Sequence, residues 1–309
     1  MRIGAAALTL LPAVLAVASC AGAETRDAAE GTAAAASDFD SSRAWEHVRR
    51  QVAIGPRPAG SSALADTRRY IAGQLKAAGI EAREQAFEAQ TPIGPVKMVN
   101  LVATIPGARP ERIALATHYE TKLFREFRFV GASDPASSVA AVLELGRVLA
   151  GRKNAFTIEL LFFDGEEAIN RDWRDPDNTY GSRHYVDAAQ KAGTLGGLKA
   201  LILLDLIGDR NLNIRREGHS TRWLTDIVWA AATELGYGRF FVAQDAGPIS
   251  DDHLPFIRAG VPAIDIIDLD YHAWHTAEDT LDNVSARSLQ VVGDTVLAAL
   301  PAIEKRLAR

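Results

Sequence analysis

The residues of this chain whose types suit chemistry are acids and histidines between positions 118 and 275. Carboxylates mixed with imidazoles, with no thiolate among them, are typical ligands of a catalytic zinc. In such a site three protein ligands leave one position open to water or substrate. The candidates are His118, Asp134, Glu166, Glu167, Asp205, Asp251 and His275.

Two of these acids, Glu166 and Glu167, directly follow a predicted buried strand. The apolar run 157–163 indicates the strand, and it stops at Asp164-Gly165. In open α/β sheets ligands bind outside the carboxyl ends of the strands, so the position favours a functional site. The alternative is that the pair begins a helix and stabilises its dipole.

His118 and Asp205 also lie where predicted strands end, after 112–117 and within the apolar run 200–206. A carboxylate at the end of a buried strand needs a metal, a cation or several donors as its partner. Asp205 is therefore hard to explain as a purely structural residue.

The remaining candidates each have a structural alternative. Asp134 before Pro135 has the pattern of a helix N-cap followed by proline at the first helical position. Asp251 could begin a helix, and His275 could be a surface histidine.

Strands that alternate with helices predict one α/β domain over 39–309, with a central mixed, mostly parallel sheet and helices on both faces. Strands over 98–105 and 112–117, separated by Pro106-Gly107, predict a hairpin. Further strands are predicted at 157–163, 200–206 and 262–267. Helical spacing predicts helices near 45–52, 64–75, 134–150, from 180, at 221–235, 251–259 and 285–307.

Composition excludes two classes of function. The chain has 309 residues, of which 48% are hydrophobic and 24% charged, so it is too hydrophobic for a disordered protein. Its formal net charge is −5 and its basic residues are scattered, so we expect no nucleic-acid partner.

The first 20 residues have the order of a secretory signal peptide, a charge followed by an apolar run. The end of this run, Val17-Ala18-Ser19-Cys20, resembles a bacterial lipobox, which would lipidate Cys20 and make the lipid anchor the only membrane contact. Ordinary cleavage after residue 23 and an uncleaved anchor are the alternatives. All three predict an extracytoplasmic protein of the cell envelope or periplasm, with residues 21–38 as a flexible tether.

Five motifs together closely resemble the zinc-dependent glutaminyl cyclases, which share a superfamily with the co-catalytic zinc aminopeptidases. The likeness spans roughly 118–282 in the family's order. The motifs are Phe162-Phe163-Asp164-Gly165-Glu166-Glu167-Ala168, Tyr180-Gly181-Ser182-Arg183-His184, Leu203-Leu204-Asp205-Leu206-Ile207-Gly208, Asp251-Asp252-His253-Leu254-Pro255-Phe256 and Trp274-His275-Thr276.

The resemblance implies Asp134, Glu167 and His275 as ligands of one zinc ion per chain. It implies Glu166 as the residue that transfers protons. If the chain were an aminopeptidase instead, His118 and Asp205 would hold a second zinc, with Asp134 bridging the two.

The resemblance also implies how substrate is held. Asp205 and Asp251 would be active-site carboxylates that share a proton or orient the substrate amine. Trp274, and Trp173 with it, would form an apolar wall for the methylenes of a glutamine side chain.

Several positions depart from the family's pattern. Glu120 stands where the family has Asp, which leaves the orientation of His118 open. Asp265 replaces a histidine that many cyclases carry, and Trp173 lies one residue further from the Glu pair than the family's tryptophan. The sequence around Asp134 lacks the second acid common in the aminopeptidases, which favours the cyclases.

The function implied is conversion of the N-terminal glutamine of a peptide or protein to pyroglutamate, with release of ammonia. One alternative is a zinc aminopeptidase, in which the same Glu166 activates water for peptide hydrolysis. The other is an envelope protein that keeps the fold for binding and has no activity. The partners expected are peptide or protein substrates with a free N-terminus.

Overall fold

The computed structural model of the protein describes Met1, Gly4 and residues 38–309. The predicted signal peptide, 1–20, and tether, 21–38, otherwise lie outside the described residues. Seven helices are described: α1 (Ser41–Ile54), α2 (Ser62–Ala77), α3 (Ala136–Ala150), α4 (Tyr180–Lys191), α5 (Arg222–Glu234), α6 (His253–Arg258) and α7 (Ala286–Leu307). The described strands are β1 (Ala82–Thr91), β2 (Gly94–Ile105), β3 (Arg109–His118), β4 (Phe156–Phe163), β5 (Leu198–Asp205), β6 (Ile214–Glu217), β7 (Phe241–Gly247) and β8 (Ala263–Ile267).

Six of these strands form a mixed sheet in the order β1-β2-β4-β3-β5-β8. The pairs β4–β3, β3–β5 and β5–β8 are parallel, whereas β1–β2 and β2–β4 are antiparallel. All eight residues of β4 are buried, as expected of a strand with neighbours on both sides and helices on both faces. The predicted fold class is confirmed.

The sheet separates two hydrophobic layers because successive side chains of a strand point to opposite faces. In β3, Ile113 and Leu115 pack into one layer, with α1, α2, α3, α5 and α7. Ala114 and Ala116 pack into the other layer, with α4 and α6.

The predicted hairpin between 98–105 and 112–117 is wrong, because β4 lies between β2 and β3. The connection at Pro106-Gly107 crosses the start of β4: a Cβ on Gly107 would lie 2.2 Å from the backbone of Phe156. The hairpin partner of β2 is β1, which sequence reasoning missed. The charged residues of β1, Arg83, Glu84 and Glu88, are all exposed, and only Ala89 of this edge strand is buried.

The smaller sheet of β6 and β7 was also missed, since β6 has only 4 residues and most of β7 is exposed. Helices α3 and α6 begin two residues later than predicted. Among the described residues, no helix is both long and apolar enough to cross a membrane.

The parallel register brings the predicted site residues to one edge of the sheet. His118 at the end of β3 lies opposite Phe163, which ends β4 two residues before Gly165. Asp205 at the end of β5 lies opposite Ile267 at the end of β8. The loops after these strands therefore meet at the edge where ligands bind in such sheets.

Candidate metal centre and active site

Asp134, Glu167 and His275 converge on one point. The Nε2 atom of His275 lies 2.9 Å from Oε1 of Glu167 and 3.3 Å from Oδ2 of Asp134. Both carboxylates are buried, and each residue offers one ligand atom within 4.8 Å of the others. These three residues could hold a metal ion.

A second group adjoins the first through Asp134. The Nε2 atom of His118 lies 3.2 Å from Oδ1 of Asp134 and 3.2 Å from Oδ1 of Asp205. These three residues also satisfy the geometry of a metal-binding group. The two oxygens of Asp134 thus face two different imidazoles, which is the position of a bridging carboxylate.

Asp134 is held by two residues that sequence reasoning missed. The carboxylate of Asp279 accepts hydrogen bonds from the backbone N–H groups of Ser133 and Asp134, at 2.7 and 3.1 Å. Arg57, fully buried, donates to the carbonyls of Val130 and Gly131 at 2.6 and 3.1 Å. The N-cap alternative fails, because no side chain caps α3 and the Asp134 carboxylate contacts histidines instead.

The Glu166-Glu167 pair lies in a turn, and the predicted alternative that it begins a helix is wrong. Gly165 has a φ of +78°, and a Cβ there would lie 2.5 Å from Sδ of Met98, so the turn requires glycine. The backbone N–H of Thr179, just before α4, donates to the carbonyl of Glu166 at 2.8 Å and so closes the long loop between β4 and α4.

Lys122 and Glu120 fix the orientation of Glu167. The Nζ atom of Lys122 donates to the carbonyl of Ala168 at 2.8 Å and lies 3.5 Å from Oε2 of Glu167. Oε1 of Glu120 accepts from the backbone N–H of Glu167 at 2.9 Å, and its Oε2 lies 3.8 Å from Nδ1 of His118. The departure at Glu120 therefore keeps a carboxylate beside His118 and ties it to the neighbouring turn.

His275 is supported by aromatic rings and a constrained backbone. The ring of Trp274 stacks on it with centroids 4.5 Å apart, and the rings of Phe124 and Phe129 meet it edge-on. Its φ of +54° lies in the left-handed region, which costs a non-glycine residue about 1–3 kcal/mol. Such strain persists where surrounding contacts enforce it, and it is concentrated at functional sites.

Glu166 lies beside the group of Asp134, Glu167 and His275 but does not belong to it. Its carboxylate lies 3.8 Å from Nδ1 of His118. Burial raises the pKa of Glu166 well above its usual range, and the charges of Glu167 and Asp251 add to this against the opposing effect of His118. A buried carboxyl with a raised pKa has the properties of a proton-transfer group.

Asp205 and Asp251 border the same cavity as the Asp134-Glu167-His275 group, and Asp205 adjoins that group through His118. Burial raises the pKa of Asp205 to about 7, and burial also raises the pKa of Asp251. Behind Asp251 lies Asp265, the residue that departs from the family's histidine, and its pKa is raised by burial and then by Asp251. His253 adjoins this buried pair through Nδ1, 3.8 Å from Oδ2 of Asp265, and its Nε2 lies 3.2 Å from Oε2 of Glu217.

Most of the predicted site residues line one cavity of about 370 Å³. The predicted residues that border it are Asp134, Glu166, Glu167, Asp205, Asp251, His275, Trp173 and Trp274. The five carboxyls among them give the cavity an excess of acids over its cations, Lys122 and Arg171. An acidic, partly enclosed donor set of this kind fits a bound divalent metal ion.

Residues 100–300 match the sequence profile of peptidase family M28. The glutaminyl-peptide cyclotransferase-like protein of Mus musculus is 32% identical over 277 residues, covering 80% of this chain and 71% of the relative. Among solved structures, an Acidobacteriales bacterium glutaminyl cyclase is similar with a TM-score of 0.83 and 39% identity, covering 88% of this chain and 97% of that one. The glutaminyl cyclase of Porphyromonas gingivalis is similar with a TM-score of 0.80 and 30% identity, covering 87% and 100%.

Proposed function

This chain belongs to peptidase family M28 and is an enzyme of the glutaminyl cyclase type, and we propose that it converts the N-terminal glutamine of peptides and proteins to pyroglutamate with release of ammonia. One observation carries this proposal. One cavity is bordered by the group of Asp134, Glu167 and His275, by the buried Glu166 and by the exposed ring of Trp274. This cavity is large enough for a glutamine side chain.

We propose Asp134, Glu167 and His275 as the ligands of one zinc ion. Two carboxylates and one imidazole, each presenting one atom, are a ligand set that zinc accepts while keeping an open position. Zinc bound there would act as a Lewis acid that makes the side-chain amide carbon of glutamine more electrophilic.

Two further carboxylates of the cavity position the nucleophile. Asp205 and Asp251 border the cavity and can accept hydrogen bonds from the α-amine of the substrate. Held in this way, the amine nitrogen lies near the amide carbon of its own side chain, so ring closure needs little further ordering.

Glu166 moves the proton. It accepts a proton from the attacking α-amine as the new C–N bond forms. It then donates that proton to the departing amide nitrogen, which leaves as ammonia when the old C–N bond breaks. The carboxyl returns to its starting state, and no water is consumed.

The walls of the cavity favour this reaction over hydrolysis. The Trp274 side chain is 42% exposed and stacks on His275, so it presents an apolar face beside the proposed metal. An apolar face suits the two methylenes of glutamine and limits the access of water.

The test is a product analysis on the purified, zinc-loaded enzyme. A glutamine-initiated peptide should lose ammonia and gain a pyroglutamyl N-terminus, and leucyl and alanyl peptides should stay intact. Release of free N-terminal residues, with two zinc ions per chain, would instead establish the aminopeptidase alternative, in which His118 and Asp205 hold the second ion. A protein free of metal after dialysis would favour the binding-only alternative.

We also propose that the enzyme acts outside the cytoplasm, with Cys20 as a lipid attachment site. The support is the charge-then-apolar order of residues 1–20. Labelling with a radioactive fatty acid, lost in a Cys20→Ser variant, would test the anchor.

A further inference from the structure

A second cavity of about 370 Å³ opens beside the proposed catalytic cavity. The two share Lys122, Arg171 and His275 as lining residues. Its other walls come from Ile93, in the turn between β1 and β2, and from segments 123–127 and 169–170. An extended peptide chain advances about 3.3 Å per residue, so the residues directly after a glutamine held in the first cavity are within reach of this neighbouring space.

Exposed hydrophobic side chains are concentrated around the two cavities. Apart from Met1, the described residues include five large hydrophobic side chains that are exposed, and four of them line one cavity or the other. Ile93 and Leu123, exposed by 61% and 38%, border the second cavity. Leu269 and Trp274 border the first. Scattered exposed hydrophobic residues need no explanation, but a group of them around a cleft marks a binding surface.

The second cavity also has an ordered aromatic wall. The rings of Phe124 and Phe127 stack with centroids 4.5 Å apart. Phe124 packs edge-on against the buried Phe129, at 5.3 Å, which holds the wall in place. Aromatic rings arranged in this way favour apolar and aromatic side chains as their ligands.

We propose that this second cavity binds an apolar or aromatic side chain of one of the two residues that follow the N-terminal glutamine. The inference rests on the proposed function, because it places the substrate's glutamine in the first cavity. It makes the enzyme selective among glutamine-initiated peptides, although the bond-forming groups contact only the glutamine.

The experiment compares kcat/KM for ammonia release from four substrates: glutamine amide, Gln-Ala-Ala-Ala-amide, Gln-Phe-Ala-Ala-amide and Gln-Ala-Phe-Ala-amide. Wild-type enzyme should prefer at least one phenylalanine peptide over the alanine peptide by about 3- to 10-fold, since an open cavity buries only part of the phenyl surface. Equal rates for the three peptides would overturn the inference.

Variants then show whether the preference for phenylalanine peptides depends on the second cavity. Leu123→Ser and Phe127→Ala should reduce it, while turnover of glutamine amide stays at the wild-type level, which also reports correct folding. Leu235→Ser is the matched control, because Leu235 is likewise 38% exposed and lines neither cavity. A preference that survives both cavity variants would refute the assignment. If no substrate, glutamine amide included, releases ammonia, the proposed function itself fails.

Discussion

Replacing Glu166 with glutamine separates proton transfer from metal binding at this site. The two side chains are nearly isosteric, and among the described residues no group donates a hydrogen bond to the Glu166 carboxylate. The substitution therefore removes a titratable proton acceptor without breaking a structural hydrogen bond. We expect the variant to fold and to retain zinc.

The expected loss of rate follows from the role of Glu166. General acid–base catalysis contributes ~10²–10⁴-fold, so kcat for ammonia release should fall by about that factor, while zinc content by mass spectrometry stays at the wild-type value. The adjacent Glu167→Gln variant is the control, because Glu167 lies 2.9 Å from His275 and should lose metal together with activity. A Glu166→Gln enzyme within a few-fold of wild-type kcat would refute the mechanism.

Three further predictions concern the ligands, the pocket wall and the acid stability of the fold. Alanine at each proposed ligand should abolish both zinc binding and activity, and wild-type zinc content in all three variants would show the assignment to be wrong; the ligands are Asp134, Glu167 and His275. Trp274→Ala should raise KM for glutamine amide roughly 3- to 30-fold with a smaller change in kcat, because it removes apolar contact area; an unchanged KM would exclude the indole from the substrate site. Burial opposes ionisation of Glu217, but the imidazole of His253, 3.2 Å away, and hydrogen bonds donated by backbone N–H groups lower its pKa to about 2. A carboxyl whose pKa is lowered on folding stabilises the fold above its unfolded pKa of about 4.5 and loses that contribution as pH falls towards 2. Urea unfolding at pH 6 and at pH 2 should therefore show that Glu217→Gln loses less free energy of unfolding on acidification than the wild type does, and equal pH profiles would contradict this.

The buried strands and the amphipathic helices could be predicted because their hydrophobic patterns are strong. The run 157–163 is buried at every position, and its end locates Glu166 and Glu167. β1 could not be predicted in the same way, because its edge position leaves charged residues on both faces. The order of β2, β4 and β3 depends on long-range pairing, which no local pattern records.

The site residues themselves could be predicted, but the residues that hold them in position could not. The carboxylates and imidazoles stood out because acids at the ends of apolar strands need partners. Arg57 and Asp279 gave no such signal: one lies in a proline-rich turn and the other in a polar loop, and their importance comes from backbone groups near Asp134 that only the fold brings to them.

The same acids and histidines would serve either cyclisation or hydrolysis, so the choice of reaction must lie elsewhere in the cavity. Both reactions need Glu166 beside the metal ligands, and the chain keeps His118 and Asp205 in place for a second ion. The two reactions differ in the nucleophile that the cavity must hold. Hydrolysis needs an ordered water molecule, whereas cyclisation needs the substrate amine folded back on its own side chain. In the proposed function, the exposed apolar face of Trp274 and the acids Asp205 and Asp251, which border the same cavity, would favour that second arrangement. Substitutions at the wall should therefore alter the ratio of cyclised to hydrolysed product, whereas substitutions at the ligands should abolish both reactions.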